Sequence, residues 1–378
     1  MKKSRFAVLL SFLLGLTALA GAADGSVKEL FGIDPMPQMT HIRIAHFSGS
    51  PHSLAHYIAQ EKGWFTQVNL DVELVPFVNG PAMMEANRSW DVGTTGAPGL
   101  ISGIVGHDVR MIGFTFWDTL MRLFVREDNP IFKSGKGHIP GFPEIWGKPA
   151  DWKNTQWLLA AGTTMHLVML TTISRLGLTD QDLQMVNMDA TSAYTAFKAG
   201  QGDGLGSWAP TLFQVAESGY KAVSGIEECG VRMASTIFAH PDALANKREM
   251  VKKYLDVYLA ICHWIDENHE EAAEYFVRTC EEEGINTSPF AALSTLESAH
   301  TPTLSEQISY CETIVPDSKD PSRRITEMEK VIMDIFDFFA AQGRYTAEDR
   351  VKMLSGFIDS SVVLELKADY QKNGKAIP

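Results

Sequence analysis

Apolar residues in this chain first fall into short strand-like runs separated by segments of helical period, and then into helical period alone. His41-Ile42-Arg43-Ile44-Ala45-His46 reads as the first strand after a polar, proline-containing lead-in over 23–40. The loop Phe47 to His52 passes into a helix over Ser53 to Lys62, with Leu54, Tyr57 and Ile58 on one side and Gly63 as its stop. Leu70 to Val75 alternates as a strand, Pro81 to Asn87 is a short helix, and Asp91 to Thr94 is a short strand. Thr95-Gly96-Ala97-Pro98 opens a helix that runs to about Val105, and Arg110 to Thr115 is the next strand. Prolines and glycines then break the rhythm over 127–155, which reads as a boundary plus an insertion. A second α/β half follows from Trp157 to Ser224, and Met233 to Ala239 is a strand returning to the first half. From Lys247 onward the period is helical, as in Tyr254, Val257, Tyr258, Ile261 and again in Ile332, Ile335, Phe336, Phe339. Strands alternating with helices imply an α/β fold with mostly parallel sheets and helices on their faces, here with a helical C-terminal tail.

Three junctions where a strand enters a helix are rich in small polar residues: Ser48-Gly49-Ser50 with His52, Thr94-Thr95-Gly96-Ala97, and Gly162-Thr163-Thr164 with His166. In parallel α/β sheets such loops lie outside the carboxyl ends of the strands, where ligands bind. The first N–H groups of a helix lack internal partners and sit at its positive end, so they favour an anion or a polar head group. Capping accounts for any one of these loops; three of them point to a ligand. Trp117 and Trp208 follow strand ends and are candidate ligand-facing indoles, while Asp118 and Asp189 suit either an ammonium group or the surface. His52 and His56 have the i, i+4 spacing of metal ligands, with His46 nearby, but lack the acidic partner of such motifs, so no metal site is expected. The glycines at 200, 202, 204 and 206 follow a helix and lead into a strand, the wrong order for a phosphate loop; they read as a helix stop and a turn. No nucleophile motif occurs, so neither catalysis nor a cofactor is expected.

Composition narrows the setting. Lys2, Lys3 and Arg5, then the apolar run Phe6 to Ala20, then Ala20-Gly21-Ala22, read as a signal peptide over 1–22, cleaved near Ala22, which places the protein in the periplasm. Cleavage takes the formal charge from −13 to −16, because the removed segment holds three cations and no acid. That charge excludes a nucleic-acid partner. Export permits a disulfide among Cys229, Cys262, Cys280 and Cys311, with no pairing fixed by their spacing.

The segments Ala55 to Phe65, Asp91 to Pro98, Ala199 to Gly204 and Ser207 to Pro210, in this order, resemble the type 2 periplasmic solute-binding proteins of ABC importers. The resemblance is to the group that binds nitrate, sulfonates, taurine and thiamine-precursor pyrimidines. It implies two lobes around a hinged cleft: lobe 1 from 41–125 and 230–378, with the C-terminal helices, and lobe 2 from 126–229. It also implies crossings near 120–130 and 225–235, and a cleft lined by the three junctions. A small anionic ligand such as a sulfonate, nitrate or carboxylate is expected, with a neutral pyrimidine as the alternative. The partner is an inner-membrane permease with its ATPase, or a signalling receptor if the protein is a sensor; the binding protein itself is expected to be a monomer. Ala209 stands where many members carry an acid, which disfavours an amino-sulfonate such as taurine, and the insertion at 133–150 is expected to reshape one rim.

Overall fold

The computed structural model describes residues 25–117 and 119–378; the expected signal segment 1–22 and Asp118 lie outside the described residues. The chain first builds β1 (Thr40–Phe47), α1 (Pro51–Glu61), β2 (Leu70–Phe77), β3 (Val92–Gly96), α2 (Ala97–His107) and β4 (Arg110–Trp117). It continues through β5 (Met121–Val125), β6 (Gln156–Leu159), α3 (Thr164–Arg175), β7 (Gln184–Asn187), β8 (Gly204–Trp208) and β9 (Lys221–Gly225). It then returns through β10 (Ala234–Ala239) and ends in helices, among them α4 (Arg248–Glu267), α5 (His269–Glu282), α6 (Pro289–Glu297) and α7 (Glu327–Ala341). None of the described helices is long and apolar enough to cross a membrane.

Two five-stranded sheets result, in the orders β2-β1-β3-β10-β4 and β7-β6-β8-β5-β9. Both are mixed, with four of the five strands in each running in one direction, as the expected mostly parallel sheets require. β1 runs parallel to β2 and β3, and β6 to β7 and β8, but β10 and β5 are antiparallel to both of their neighbours. These are the strands laid down just after each crossing, where the chain enters the other sheet from the cleft end. β10 (Ala-Ser-Thr-Ile-Phe-Ala) is buried along its whole length, as a central strand covered on both faces must be. β5 pairs in the second sheet, so the first crossing falls between Trp117 and Met121, earlier than the boundary at 125/126 expected from the sequence.

Each sheet has an exposed edge that the chain covers. At β4 the tail supplies Gln307, whose side-chain oxygen accepts from Phe114 N (3.0 Å) and whose amide donates to Phe114 O (2.7 Å). Met111 N also donates to Phe357 O. At β9 the cover is the insertion at 133–150, where Trp146 N donates to Val223 O and the Trp146 ring stacks on Phe132 at 4.5 Å. The insertion therefore shields a sheet edge from pairing with other chains. None of its residues lines the cleft, contrary to the rim role expected of it. The helical stripes of α4 and α7 bury Tyr254, Val257, Tyr258 and Ile261, and Ile332, Ile335, Phe336 and Phe339, in one continuous core under the first sheet. All four cysteines are buried free thiols, so no disulfide forms; burial pushes Cys262 up to about 12 and Cys229 up to about 11.

Candidate ligand cleft

The first junction, β1 to α1, is held from behind. Gly49 adopts a positive φ of 64°, and its N–H donates to Glu283 Oε2 at 2.6 Å, while Glu283 Oε1 lies 2.6 Å from His46 Nε2. Ser48 N donates to Phe77 O. Ser48 and Gly49 therefore face the scaffold and do not line the cleft, which corrects their expected role; Ser50 and His52 do line it.

The second junction has no intervening loop, because β3 runs to Gly96 and α2 begins at Ala97. Side chains alternate along a strand, and Thr94 and Thr95 accordingly part: Thr95 lines the cleft, whereas the fully buried Thr94 hydroxyl sits 3.0 Å from His52 Nδ1. Ala97 also falls outside the lining. Gly96 does line it, and a Cβ there would lie 2.5 Å from Thr164 Cγ2, so at this point the lobes approach more closely than any side chain allows.

The third junction, β6 to α3, is held locally. Thr163 Oγ1 donates to Ala160 O (2.7 Å), and Gly162 N donates to His166 Nδ1 (2.9 Å). Thr163 and Thr164 line the cleft; Gly162 and His166 do not. His166 instead turns toward Arg344, whose NH2 is 3.2 Å from Nε2, and burial with that neighbouring charge lowers the imidazole to about 4.

Both indoles singled out in the sequence, Trp117 and Trp208, reach the cleft. Phe47 and Phe116, each adjacent to a position already singled out, join them, with Phe47 edge-on to Trp208 at 6.3 Å across the lobes. Arg232 stacks over Trp117 at 4.0 Å. Sequence reasoning missed one whole wall, Thr295, Ser298 and Ala299, contributed by α6 and the turn after it. An amphipathic helix in a tail carries no local mark that its end meets a cleft far back along the chain.

The space between the sheets opens to solvent and is walled by aromatic and small polar residues. Among the described residues no Lys, Arg, Asp or Glu lines it. Asp189 is spent as a helix cap, accepting from Ser192 N. His52 is the titratable ring in the wall, and burial, with the nearby His46, lowers it to about 3, so it is neutral at physiological pH. The buried Thr94 hydroxyl pairs with His52 Nδ1, the donor being set by the imidazole tautomer. His56 Nε2 pairs with Tyr254 OH at 2.9 Å and His46 with Glu283, so these rings form a buried support under the first junction.

A family model described as NMT1/THI5 like matches residues 50–272. A protein of Brachyspira hyodysenteriae named as an ABC transporter periplasmic binding protein is 26% identical over 93% of this chain and 94% of its own length. Among solved structures, the alkanesulfonate-binding protein SsuA of Xanthomonas axonopodis, bound to MOPS, superposes with a TM-score of 0.64 at 16% identity, covering 85% of this chain and 99% of that one. The nitrate-binding protein NrtA of Synechocystis superposes with a TM-score of 0.63 at 12% identity, covering 90% and 92%. These likenesses show a periplasmic-binding-protein fold.

Proposed function

The chain belongs to the NMT1/THI5-like family, and on that premise we propose that it is the exported solute-binding receptor of an ABC importer, capturing a small organic anion between its lobes. The observation that carries this reading is the cleft, walled by both sheets, with the starts of α1, α2 and α3 at its edge and an aromatic lining from Phe47, Phe116, Trp117 and Trp208. The helix starts offer neutral N–H donors to an oxyanion head such as a sulfonate or carboxylate, and the rings pack on its organic body. The four aromatic rings offer an apolar face that nitrate alone would not use. The named periplasmic relative and the sulfonate- and nitrate-binding neighbours support the same reading.

On this account the protein works in the periplasm, and ligand binding stabilises the closed form that docks on a membrane permease with its ATPase. No catalytic step is involved. One observation favours a second reading, a neutral heterocycle such as a pyrimidine: no cationic side chain is among the described lining residues. A thermal-shift panel of sulfonates, carboxylates, nitrate and pyrimidines tests both. Stabilisation by an organic sulfonate or carboxylate supports the first reading, stabilisation by a pyrimidine alone replaces it with the second, and no shift with any member sinks the receptor assignment.

A further inference from the structure

Hydrogen-bond accounting around the cleft divides its polar groups into two chemical kinds. The helix starts present N–H donors. The α6 wall is the opposite. Thr295 Oγ1 spends its proton on Ala291 O (2.6 Å), Ser298 Oγ spends its proton on Ser294 O (2.8 Å), and the neighbouring Thr119 Oγ1 donates to Ser298 O (3.1 Å). A hydroxyl has one proton and two lone pairs, so these side chains can offer a ligand only acceptor sites. Thr295 is 2% exposed, which leaves little water to occupy those sites. The wall is fixed in place: Ala291, Ala292 and Leu296 bury one side of α6, and Phe290 at its start meets Phe213 of the second lobe, ring centroids 5.9 Å apart.

Resting on the receptor reading above, we propose that α6 is a selectivity wall of the cleft, and that Thr295 and Ser298 select a solute carrying a neutral O–H or N–H donor in addition to its anionic head. A solute that only accepts hydrogen bonds satisfies the helix starts but sets an apolar surface against the α6 lone pairs and leaves them unpaired. An ammonium donor fits poorly, because among the described lining residues no carboxylate compensates its desolvation. The substrate class is therefore a hydroxy- or amide-bearing organic anion.

The test uses matched probes differing in one hydroxyl, benzenesulfonate against 3-hydroxybenzenesulfonate and ethanesulfonate against 2-hydroxyethanesulfonate, titrated calorimetrically into the full chain. In the wild type the hydroxylated member of a pair binds about tenfold tighter, the effect of one net hydrogen bond. In Thr295→Val with Ser298→Ala that advantage falls to about onefold, because the hydroxylated probe loses its acceptors and the unhydroxylated probe no longer faces unpaired ones. Thr295→Ser, which keeps the hydroxyl, retains it, and Ser298→Ala alone gives an intermediate value and guards against misfolding of the double variant. Equal binding within both pairs in the wild type, or an advantage that survives the double variant, overturns the selectivity wall and leaves the receptor reading standing. Failure of every probe to bind removes the sulfonate-receptor reading and this inference with it.

Discussion

The two lobes present similar strand-to-helix junctions to the cleft but secure them by different means. In lobe 1 the anchors come from far along the chain: Glu283 grips Gly49 and His46, Tyr258 OH donates to His52 O (2.8 Å), and Gln307 pins β4. In lobe 2 the anchors are local, Thr163 to Ala160 and Gly162 to His166, with Asn187 Oδ1 taking Ala161 N. The C-terminal helices pack under lobe 1, while the insertion covers the far edge of lobe 2. The difference assigns roles. On the proposed receptor reading, lobe 1 is the preorganised frame and lobe 2 the lighter cover that brings Thr163, Thr164 and Trp208 onto the solute.

The sharpest way to break this division is at the point where the lobes meet. Gly96→Val places carbon where Thr164 Cγ2 now sits, so closure is blocked while each lobe still folds. Affinity should drop on the order of 100-fold because the closed state is depopulated, with scattering showing a larger radius of gyration in the presence of ligand and little change in melting temperature. Gly49→Ala should do the reverse and strike lobe 1 itself. A side chain at φ 64° that also meets Ile285 at 2.3 Å should cost about 2–3 kcal/mol of stability, read by denaturant unfolding. Trp208→Ala removes the ring that lobe 2 lays against Phe47 and should weaken binding roughly 10-fold with stability nearly unchanged.

Acid should separate the lobes more gently. Burial holds His52 at about 3 and His56 well below its ordinary value of 6.5, whereas lobe 2 contributes His166 at about 4. The unfolded chain takes up these protons near pH 6.5 and the folded chain does not, so stability is full above pH 6.5 and declines as pH falls toward 4. The slope of melting temperature against pH over that window should flatten more with His56→Gln than with His166→Gln. The smallest expected effect is from reductant. With every thiol free and buried, dithiothreitol should leave the melting temperature unchanged, and the four thiols should react with a thiol reagent only after denaturation.

The junctions were legible in the sequence because each is a local event, a strand that ends in Ser, Thr or Gly just before a helix. What a local pattern cannot carry is which way a side chain turns. Thr94 and Thr95 are neighbours of the same type, yet one supports His52 and the other faces the cleft. His166, a few residues past the cleft-lining Thr163, is drawn away by Arg344 from the tail. Strand direction was hidden for the same reason: β5 and β10 look like any buried strand, and only the crossings make them antiparallel. The α6 wall was the least visible of all, since Thr295 and Ser298 meet the cleft through a tertiary contact with no sequence signature.

The central claim, a solute held by closure of lobe 2 on lobe 1, is tested most directly by native mass spectrometry after exposure to periplasmic extract, with wild type and Gly96→Val run side by side. The account predicts one small-molecule adduct on the wild type, released on denaturation, and none on the variant. An adduct that persists on Gly96→Val, or no adduct on the wild type, would contradict it.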